Sequence, residues 1–240
     1  MVTPTGAVHS CTSAWGTALM DTRRGAGTWR FLDPVGADLW RAVTSGVPAE
    51  QAIDQLAAHW QQRGQDPDTV RADLAAVLAA LRKADLLTPA DRPAEADDAE
   101  PTVHFAAPVP TGLGLRLAAP VALAAALVLL RLPIRYGVAA ARRTATLPAR
   151  PATVAQAQAA HHAVRRAARW WPGRVACLEE SLAAFLTGVL TGRRVRWVLG
   201  ATFLPRGAHA WTEAHGEIIG QEPADRVWHY LPVLQVGPTA

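Results

Sequence analysis

The sequence contains only two cysteines, Cys11 and Cys177, and they lie far apart in its 240 residues. Neither a disulfide framework nor a Cys-x-x-Cys motif is therefore present, and no Cys/His spacing is typical of a zinc site. We expect no metal and no other cofactor. Sparse cysteine is usual in a reducing compartment, and the first thirteen residues lack the basic and then apolar pattern of a signal peptide. These features predict a cytoplasmic protein.

Long apolar runs and basic clusters are also missing. The most apolar stretch is residues 113–141. Its apolar core lies at residues 117–130 and is interrupted by Pro120. A membrane span needs about 20 residues, so we expect a buried or interfacial helix with at most weak membrane association through residues 117–130. Pro133 is expected to end or kink this helix. The arginines are scattered without interleaved aromatic residues, which argues against binding to nucleic acid. No phosphate-binding loop is present, which argues against intrinsic ATP chemistry.

Acidic residues are scarce in the second part of the chain. Residues 1–100 contain 9 Lys+Arg against 14 Asp+Glu, a net charge of −5, whereas residues 101–240 contain 15 against 6, a net charge of +9. Between these parts, residues 88–101 are rich in proline and acidic residues and have no large apolar side chain. Such composition is typical of an exposed linker. We therefore predict two domains, residues 1–88 and 105–240, joined by a linker at residues 89–104.

The first domain begins with a pattern of extended runs. Residues 16–21 and 27–33 flank a turn that contains Gly25 and Gly27, which predicts a β-hairpin. Three apolar stripes of helical period follow. Each predicted helix has a proline at or near its first position, namely Pro34, Pro48 and Pro67. A hairpin followed by three short helices predicts a winged-helix-like α+β module.

The second domain shows helical patterns first and strand patterns afterwards. Residues 152–171 read as a helix that Pro172-Gly173 ends, and the apolar face that follows begins near Cys177 and ends at Gly192. A tight turn is predicted at His215-Gly216. The predicted strands are residues 195–204, 208–214, 217–219 and 227–236. We therefore expect an antiparallel sheet with the cysteine helix packed against it.

Cys177 and His209 are the candidate catalytic pair. A thiol reacts as its thiolate, and a helix N-terminus favours that anion, so Cys177 is well placed as a nucleophile. Glu179 and Glu180 oppose this effect, and a cationic imidazole must offset them. His209 stands in an apolar strand pattern, from which an imidazole can take the thiol proton and return it to a leaving amine.

The remaining cysteine and one histidine pair lack such a context. We expect Cys11 to be a bystander in a frayed N-terminus. The adjacent His161 and His162 have no partner at metal-ligand spacing, and we interpret them as part of a solvated helix face.

Two sequence blocks resemble a known family. The second domain, over residues 110–236, is similar to the transglutaminase-like leader peptidases (B2 proteins) of lasso-peptide biosynthesis. The blocks that carry the likeness are Arg174, Cys177, Leu178, Ser181 and Leu182, and then Ala208-His209-Ala210-Trp211-Thr212-Glu213. The first domain is similar to the PqqD-like elements that recognise precursor peptides. Its matching features are Leu19-Met20-Asp21, residues 29–34, Ala37, Leu39, Trp40 and the helix end at Leu86-Leu87. Both domains in this order resemble a fused lasso B protein.

The resemblance implies a fold and a catalytic triad. We expect a PqqD-type module joined to a papain/transglutaminase-like cysteine protease domain with a Cys-His-Asp triad, in which Cys177 and His209 take the first two roles. At the position where the family has the aspartate of the triad, this sequence has Gln221. Glu222 follows it, and Asp225 lies beyond. A glutamine can orient a histidine by hydrogen bonding, so Gln221 and Glu222 both remain candidates for the third position.

The resemblance also implies partners. The first domain would bind the leader of a lasso precursor peptide as an added strand, and the leader-binding candidates are Trp29, Arg30, Phe31 and Leu32. The cysteine domain would then cut the leader from the core, and a separate asparagine-synthetase-like cyclase would close the ring. Two alternatives stay open, a transglutaminase-like acyl transferase and a non-catalytic leader-binding scaffold for the cyclase.

Overall fold

The computed structural model describes residues 2–4, 7–89, 102–106, 109–221 and 230–237. The chain divides into two compact units, one of residues 1–21 with 28–97 and one of residues 22–27 with 98–240. Helices and strands occur in both units, as the predicted α+β class requires. The predicted boundaries at residues 88 and 105 stay predictions. The strand Val103–Phe105 overlaps the end of the predicted linker. It pairs with a strand of the second unit and so belongs to that unit.

Within its described residues, the N-terminal unit contains two antiparallel sheets and three helices. The elements are β1 (Val2–Pro4), β2 (Val8–Ser13), β3 (Gly16–Asp21), β4 (Thr28–Leu32), α1 (Pro34–Thr44), α2 (Ala49–Gln61), α3 (Pro67–Lys83) and β5 (Leu87–Pro89). Strands β2, β3 and β4 form a three-stranded sheet in that order, and β1 pairs with β5. The predicted hairpin is present as β3 and β4, and the three predicted helices are present as α1 to α3.

Proline and aspartate set where these helices begin. Asp33 Oδ1 accepts a hydrogen bond from the Gly36 N–H at 2.8 Å before α1, and Asp66 Oδ2 accepts one from the Thr69 N–H at 3.0 Å before α3. The proline after each aspartate needs no hydrogen-bond partner for its nitrogen. Pro48 differs, because it precedes α2 as the capping residue rather than lying in the first turn.

The expectation of a frayed terminus at Cys11 was wrong. Cys11 lies in β2, opposite Ala18 of β3, and its side chain is buried. The sequence from residue 8 to residue 13 lacks strong apolar alternation, so pairing with β3 rather than local pattern makes it a strand. Burial raises the pKa of the Cys11 thiol to about 11, a value at which almost no thiolate forms near neutral pH.

In the part of the C-terminal unit that the structure describes, helices pack on a five-stranded sheet. The elements are β6 (Val103–Phe105), α4 (Leu113–Leu129), α5 (Ile134–Ala145), β7 (Arg150–Pro151), α6 (Val154–Ala168), α7 (Cys177–Leu190), β8 (Arg193–Arg194), β9 (Arg196–Phe203), β10 (Arg206–Ala214), β11 (Glu217–Gln221) and β12 (Leu231–Val236). The sheet order is β12-β9-β10-β11-β6, and the pairing is antiparallel except between β11 and β6. The short strands β7 and β8 form a separate parallel pair.

Helix α7 is the centre of this unit. Its residues 181–188 are all buried, and the helix packs against α4, α6 and β10. A helix that is apolar on all sides must be covered on all sides. One polar link joins it to the sheet, since the indole N–H of Trp197 donates to Ser181 Oγ at 3.0 Å. The packing of α7 therefore fixes the position of its first residue, Cys177.

The apolar stretch of residues 113–141 forms two helices, which Pro133 separates as the sequence predicts. Helix α4 continues through Pro120. Proline has no N–H, so the carbonyl of Arg116, one turn earlier, loses its partner within the helix. Both residues are exposed. Pro133 precedes α5, as expected for a proline that ends one helix and begins another. Across the described parts of the chain, no helix is both long enough and apolar enough to span a membrane.

The N-terminal core provides a test of this packing. Leu74 of α3 is 1% exposed and belongs to the apolar cluster that α1, α3 and β3 share. We expect Leu74→Ala to lower the free energy of unfolding of this unit by about 2–5 kcal/mol, because it leaves a cavity. Leu74→Met keeps the volume and should cost less than about 1.5 kcal/mol. Urea denaturation measures both values, and equal losses in the two variants would contradict the assigned packing.

Candidate active site

Cys177 is the first residue of α7, as the sequence predicts. Ala176 caps the helix with an extended backbone, and its N–H donates to Glu179 Oε2 at 3.0 Å. Amides in the first turn of a helix have no partner within the helix and carry partial positive charge. The position therefore favours an anion at the Cys177 sulfur.

The two glutamates of this first turn are both engaged. Glu179 accepts the Ala176 N–H, and Glu180 forms an ion pair with Arg165 of α6. The charge of Glu180 is thus offset by a guanidinium. The expected opposition of these carboxylates to a thiolate is correspondingly reduced.

His209 lies in β10, directly opposite Gly200 of β9. Its ring stacks near Trp211, with centroids 6.1 Å apart and an interplanar angle of 17°, and it lies 5.1 Å from the ring of Tyr230. The Nε2–H of His209 donates to Gln221 Oε1 at 2.9 Å. With Nε2 holding the proton, Nδ1 is the basic nitrogen of the ring. Of the two residues proposed for the third position, the structure thus brings Gln221 to the histidine, whereas Glu222 lies outside the described residues.

A strand irregularity brings Gln221 to His209. Strands β10 and β11 pair in a register that puts Thr212 opposite Ile219, and continuing this register would put Gln221 opposite Ala210. The side chain of Ala210 points to the other face of the sheet from that of His209. The register of β11 against its other neighbour, β6, shifts between Ile219 and Gln221, where Gly220 has a φ of +79°. A bulge with glycine in this conformation reverses the face of the next residue.

Trp211 holds its place over a glycine. A Cβ at Gly200 would lie 2.3 Å from Trp211 Cη2 and 2.6 Å from the carbonyl oxygen of Leu231. The indole N–H of Trp211 donates to Glu213 Oε1 at 2.8 Å, and Glu213 Oε2 lies 3.4 Å from Arg196 Nη1. The indole ring of Trp211 is therefore held by its contact with Gly200 and by the hydrogen bond to Glu213.

The candidate residues share one cleft of about 670 Å³. Arginine outnumbers acid in its lining, with Arg165, Arg169 and Arg174 against Glu180, which Arg165 already pairs. A positive cleft attracts acidic segments of a substrate. The lining residues are Ala106, Gln158, His161, His162, Arg165, Arg169, Arg174, Val175, Ala176, Cys177, Glu180, His209, Ala210, Trp211, Gly220 and Gln221. Among the described residues no cluster suited to a metal ion is found.

The interpretation of His161 as solvated was wrong. Its side chain is buried, its Nε2 lies 3.4 Å from Glu180 Oε1, and its ring lies against Gly220. Burial, and then the charges of Arg165 and His162, lower the pKa of the His161 imidazole to about 3. Glu180 by itself would favour a charged ring, but its Oε1 is already paired with Arg165. A histidine on the small-residue face of α6, between Ala157, Ala160 and Val164, was the sequence signal for burial.

The four leader-binding candidates lie in β4, an outer strand of its sheet in the described part of the chain. Leu32 packs on the N-terminal core, on the face of the sheet that also carries Leu19. Arg30 shares that face by strand alternation, and Trp29 and Phe31 lie on the other. All four side chains are half-buried.

Gly200 provides a first test of the site. We expect Gly200→Ala to displace Trp211 and the backbone of β12, and to lower the free energy of unfolding by about 1–3 kcal/mol. The matched control is Gly207→Ala in the same hairpin, where a Cβ would meet only Thr202 Cγ2 at 3.5 Å. Urea denaturation measures the loss, and the near-ultraviolet circular dichroism reports the tryptophan. Equal behaviour of the two variants would refute the close contact.

His161 makes stability depend on pH. Its folded-state pKa lies below the ordinary 6.5, so between pH 6.5 and 3 the unfolded chain binds more protons than the folded one. Stability should therefore fall as the pH falls below 6.5, by up to about 1.4 kcal/mol per pH unit from this residue. We expect His161→Phe to lose less stability than the wild type between pH 6.5 and 4.5 in urea denaturation. Parallel stability curves would contradict the buried neutral imidazole.

Two parts of the chain match known protein families. Residues 119–235 match the transglutaminase-like superfamily, and residues 16–87 match coenzyme PQQ synthesis protein D (PqqD). No curated protein matches the chain significantly. One solved structure, described as "TbiB1 in Complex with the TbiA(beta) Leader Peptide", is 28% identical over 38% of this chain and 99% of that chain, with a TM-score of 0.31.

The superfamily match indicates an enzyme of the cysteine protease or acyltransferase type. The expected fold classes and domain order are confirmed. In one chain, a PqqD domain precedes a domain of the transglutaminase-like superfamily, as in the fused lasso B proteins that the sequence resembles.

Proposed function

We propose that this chain is a leader peptidase of lasso-peptide biosynthesis. The N-terminal unit binds the leader of the precursor peptide, and Cys177 of the second unit cuts the leader from the core. The observation that carries this proposal is the cleft that Cys177, His209 and Gln221 line together, with His209 Nε2 hydrogen-bonded to Gln221. The PqqD match supports the leader-binding part.

The first step is attack by sulfur. His209 takes the thiol proton at Nδ1, the nitrogen that Gln221 leaves unprotonated, and the thiolate adds to the carbonyl carbon of the scissile peptide bond. The oxyanion that forms faces the amides of the first turn of α7, which supply hydrogen bonds and partial positive charge. The helix that activates Cys177 thus also stabilises the intermediate.

The second half of the reaction releases both products. The His209 imidazolium gives its proton to the leaving nitrogen, the C–N bond breaks, and the core departs with a free N-terminal amine. A thioester between Cys177 and the leader remains. Water, deprotonated by His209, adds to the thioester, and the C–S bond breaks to give the leader carboxylate and the thiol. A separate asparagine-synthetase-like cyclase is the proposed user of the freed core.

The N-terminal unit supplies the substrate. An outer strand such as β4 can pair with an extended leader, so that backbone hydrogen bonds provide affinity and the side chains of Trp29, Arg30, Phe31 and Leu32 provide selectivity. A leader held on the same chain raises the effective concentration of the cleavage site at Cys177. Weak affinity of the cleft itself is then sufficient.

The decisive experiment is mass spectrometry of a candidate precursor peptide, encoded beside this chain, after incubation with the full-length protein. We expect the leader and core masses with the wild type and the intact precursor with Cys177→Ala, which still binds the leader. A product that carries an added amine in place of water would identify an acyl transferase. Cleavage by Cys177→Ala would refute the nucleophile, and binding without cleavage by the wild type would favour the scaffold.

The role of Gln221 has its own test. A hydrogen bond to a charged group contributes about 1.5–3 kcal/mol, so Gln221→Ala should lower kcat by roughly 10- to 100-fold. Gln221→Glu keeps an acceptor at the same place and should retain most of the activity. The kcat values of the two variants on the same precursor measure this difference. Full activity of Gln221→Ala would remove this residue from the site.

A further inference from the structure

His161 has no role in the mechanism above, although it lines the candidate active site. Its side chain is 7% exposed and lines the same cleft as Cys177. A Cβ on Gly220 would be 2.4 Å from both Cε1 and Nδ1 of the imidazole and 2.5 Å from Cγ. The ring therefore rests directly on the backbone of Gly220, an approach that only glycine allows.

The contact is made at the residue that turns Gln221. Gly220 has the left-handed φ of +79° and stands at the register shift of β11. That shift brings Gln221 to the face of His209, where the hydrogen bond of 2.9 Å forms. A side chain that presses on Gly220 thus acts on the orientation of Gln221.

The imidazole is itself held from two helices. His161 belongs to α6, and its Nε2 lies 3.4 Å from Oε1 of Glu180 in the first turns of α7. Arg165, one turn further along α6, pairs with the same oxygen of Glu180. Glu180 follows Cys177 by three residues, which is about one helical turn. One cluster of three side chains therefore connects α6 to the helix of Cys177 and to the strand of Gln221.

We propose that His161 is a positioning residue, whose ring fixes the Gly220–Gln221 segment and thereby orients His209 toward Cys177. This inference rests on the proposed roles of Cys177 and His209. His161 is not a second base, because Nε2 faces Glu180 and Nδ1 lies against Gly220. Its lowered pKa, about 3, also keeps the ring neutral at physiological pH.

The first test compares two substitutions in the full-length protein. His161→Ala removes the ring, and we expect kcat on the precursor peptide to fall by roughly tenfold or more while KM stays within about twofold, since orientation is lost and leader binding is not. His161→Phe keeps a flat ring on Gly220 and should retain kcat within about threefold. Wild-type kcat in His161→Ala would overturn the proposal, and so would an equal loss in both variants.

A matched control separates positioning from stability. Val164 is fully buried on the same helix, and Val164→Ala removes packing atoms at a residue that does not line the cleft. We expect this variant to be destabilised with kcat within about twofold of the wild type. A loss of kcat equal to that of His161→Ala would show that any weakening of α6 suffices, and would overturn the proposal.

The contact with Gly220 is tested by a double-mutant cycle. Gly220→Ala puts a Cβ where the ring lies and should also lower kcat. If both changes disturb the same contact, the double variant His161→Ala/Gly220→Ala should be no slower than the slower single variant. Multiplication of the two single effects would show independent sites and overturn the proposal.

A readout without peptide separates this inference from the proposed function. The rate of Cys177 alkylation by iodoacetamide, followed by mass spectrometry across pH 5–9, reports thiolate formation, and the buried Cys11 stays unlabelled. Near pH 6, we expect Cys177 to be alkylated roughly tenfold more slowly in His161→Ala than in the wild type or in His161→Phe. The reason is that a misoriented His209 no longer takes the thiol proton. Identical pH profiles would overturn the proposal even if cleavage fails for every protein tested.

Discussion

The hydrogen bond between His209 Nε2 and Gln221 Oε1 is the interaction on which the candidate site depends. It determines which ring nitrogen is basic, and so whether the imidazole can take a proton from a thiol. A neutral amide in this place orients the ring as a carboxylate would, but stabilises an imidazolium less. The surrounding structure compensates by geometry, because Trp211 and Tyr230 restrict the ring from its sides. Orientation, rather than a third charge, is therefore the main contribution of this position.

Two glycines make that geometry possible. Gly200 lets Trp211 lie across the neighbouring strand, and Gly220 lets the His161 ring approach the backbone of β11. At each position an absent side chain creates the space that a large ring occupies. The site is thus built by close packing of backbone and aromatic rings, which resists small displacements.

Helices and strands with strong local signals were predicted correctly. The three N-terminal helices start at prolines and capping residues, and α7 starts at Cys177, because capping and apolar periodicity are local properties. Two features were missed, namely the strand that buries Cys11 and the burial of His161. Pairing with the neighbouring strand β3, rather than an apolar pattern of its own, makes the strand at Cys11. The burial of His161 depends on Glu180 and Gly220, which are remote in sequence and which a local pattern does not reveal.

Local sequence patterns were sufficient to predict the residue types of the chemistry, a cysteine at the start of an apolar helix and a histidine in a strand, together with the order of the two domains. They did not predict how these residues come together in the fold. Gln221 comes from the next strand and reaches His209 through a register shift, and His161 comes from a separate helix. A hydrogen bond or a ring contact depends on distances of a few ångströms between segments. Such distances are set by the packing of whole elements, whereas helix starts and strand patterns are set by neighbouring residues.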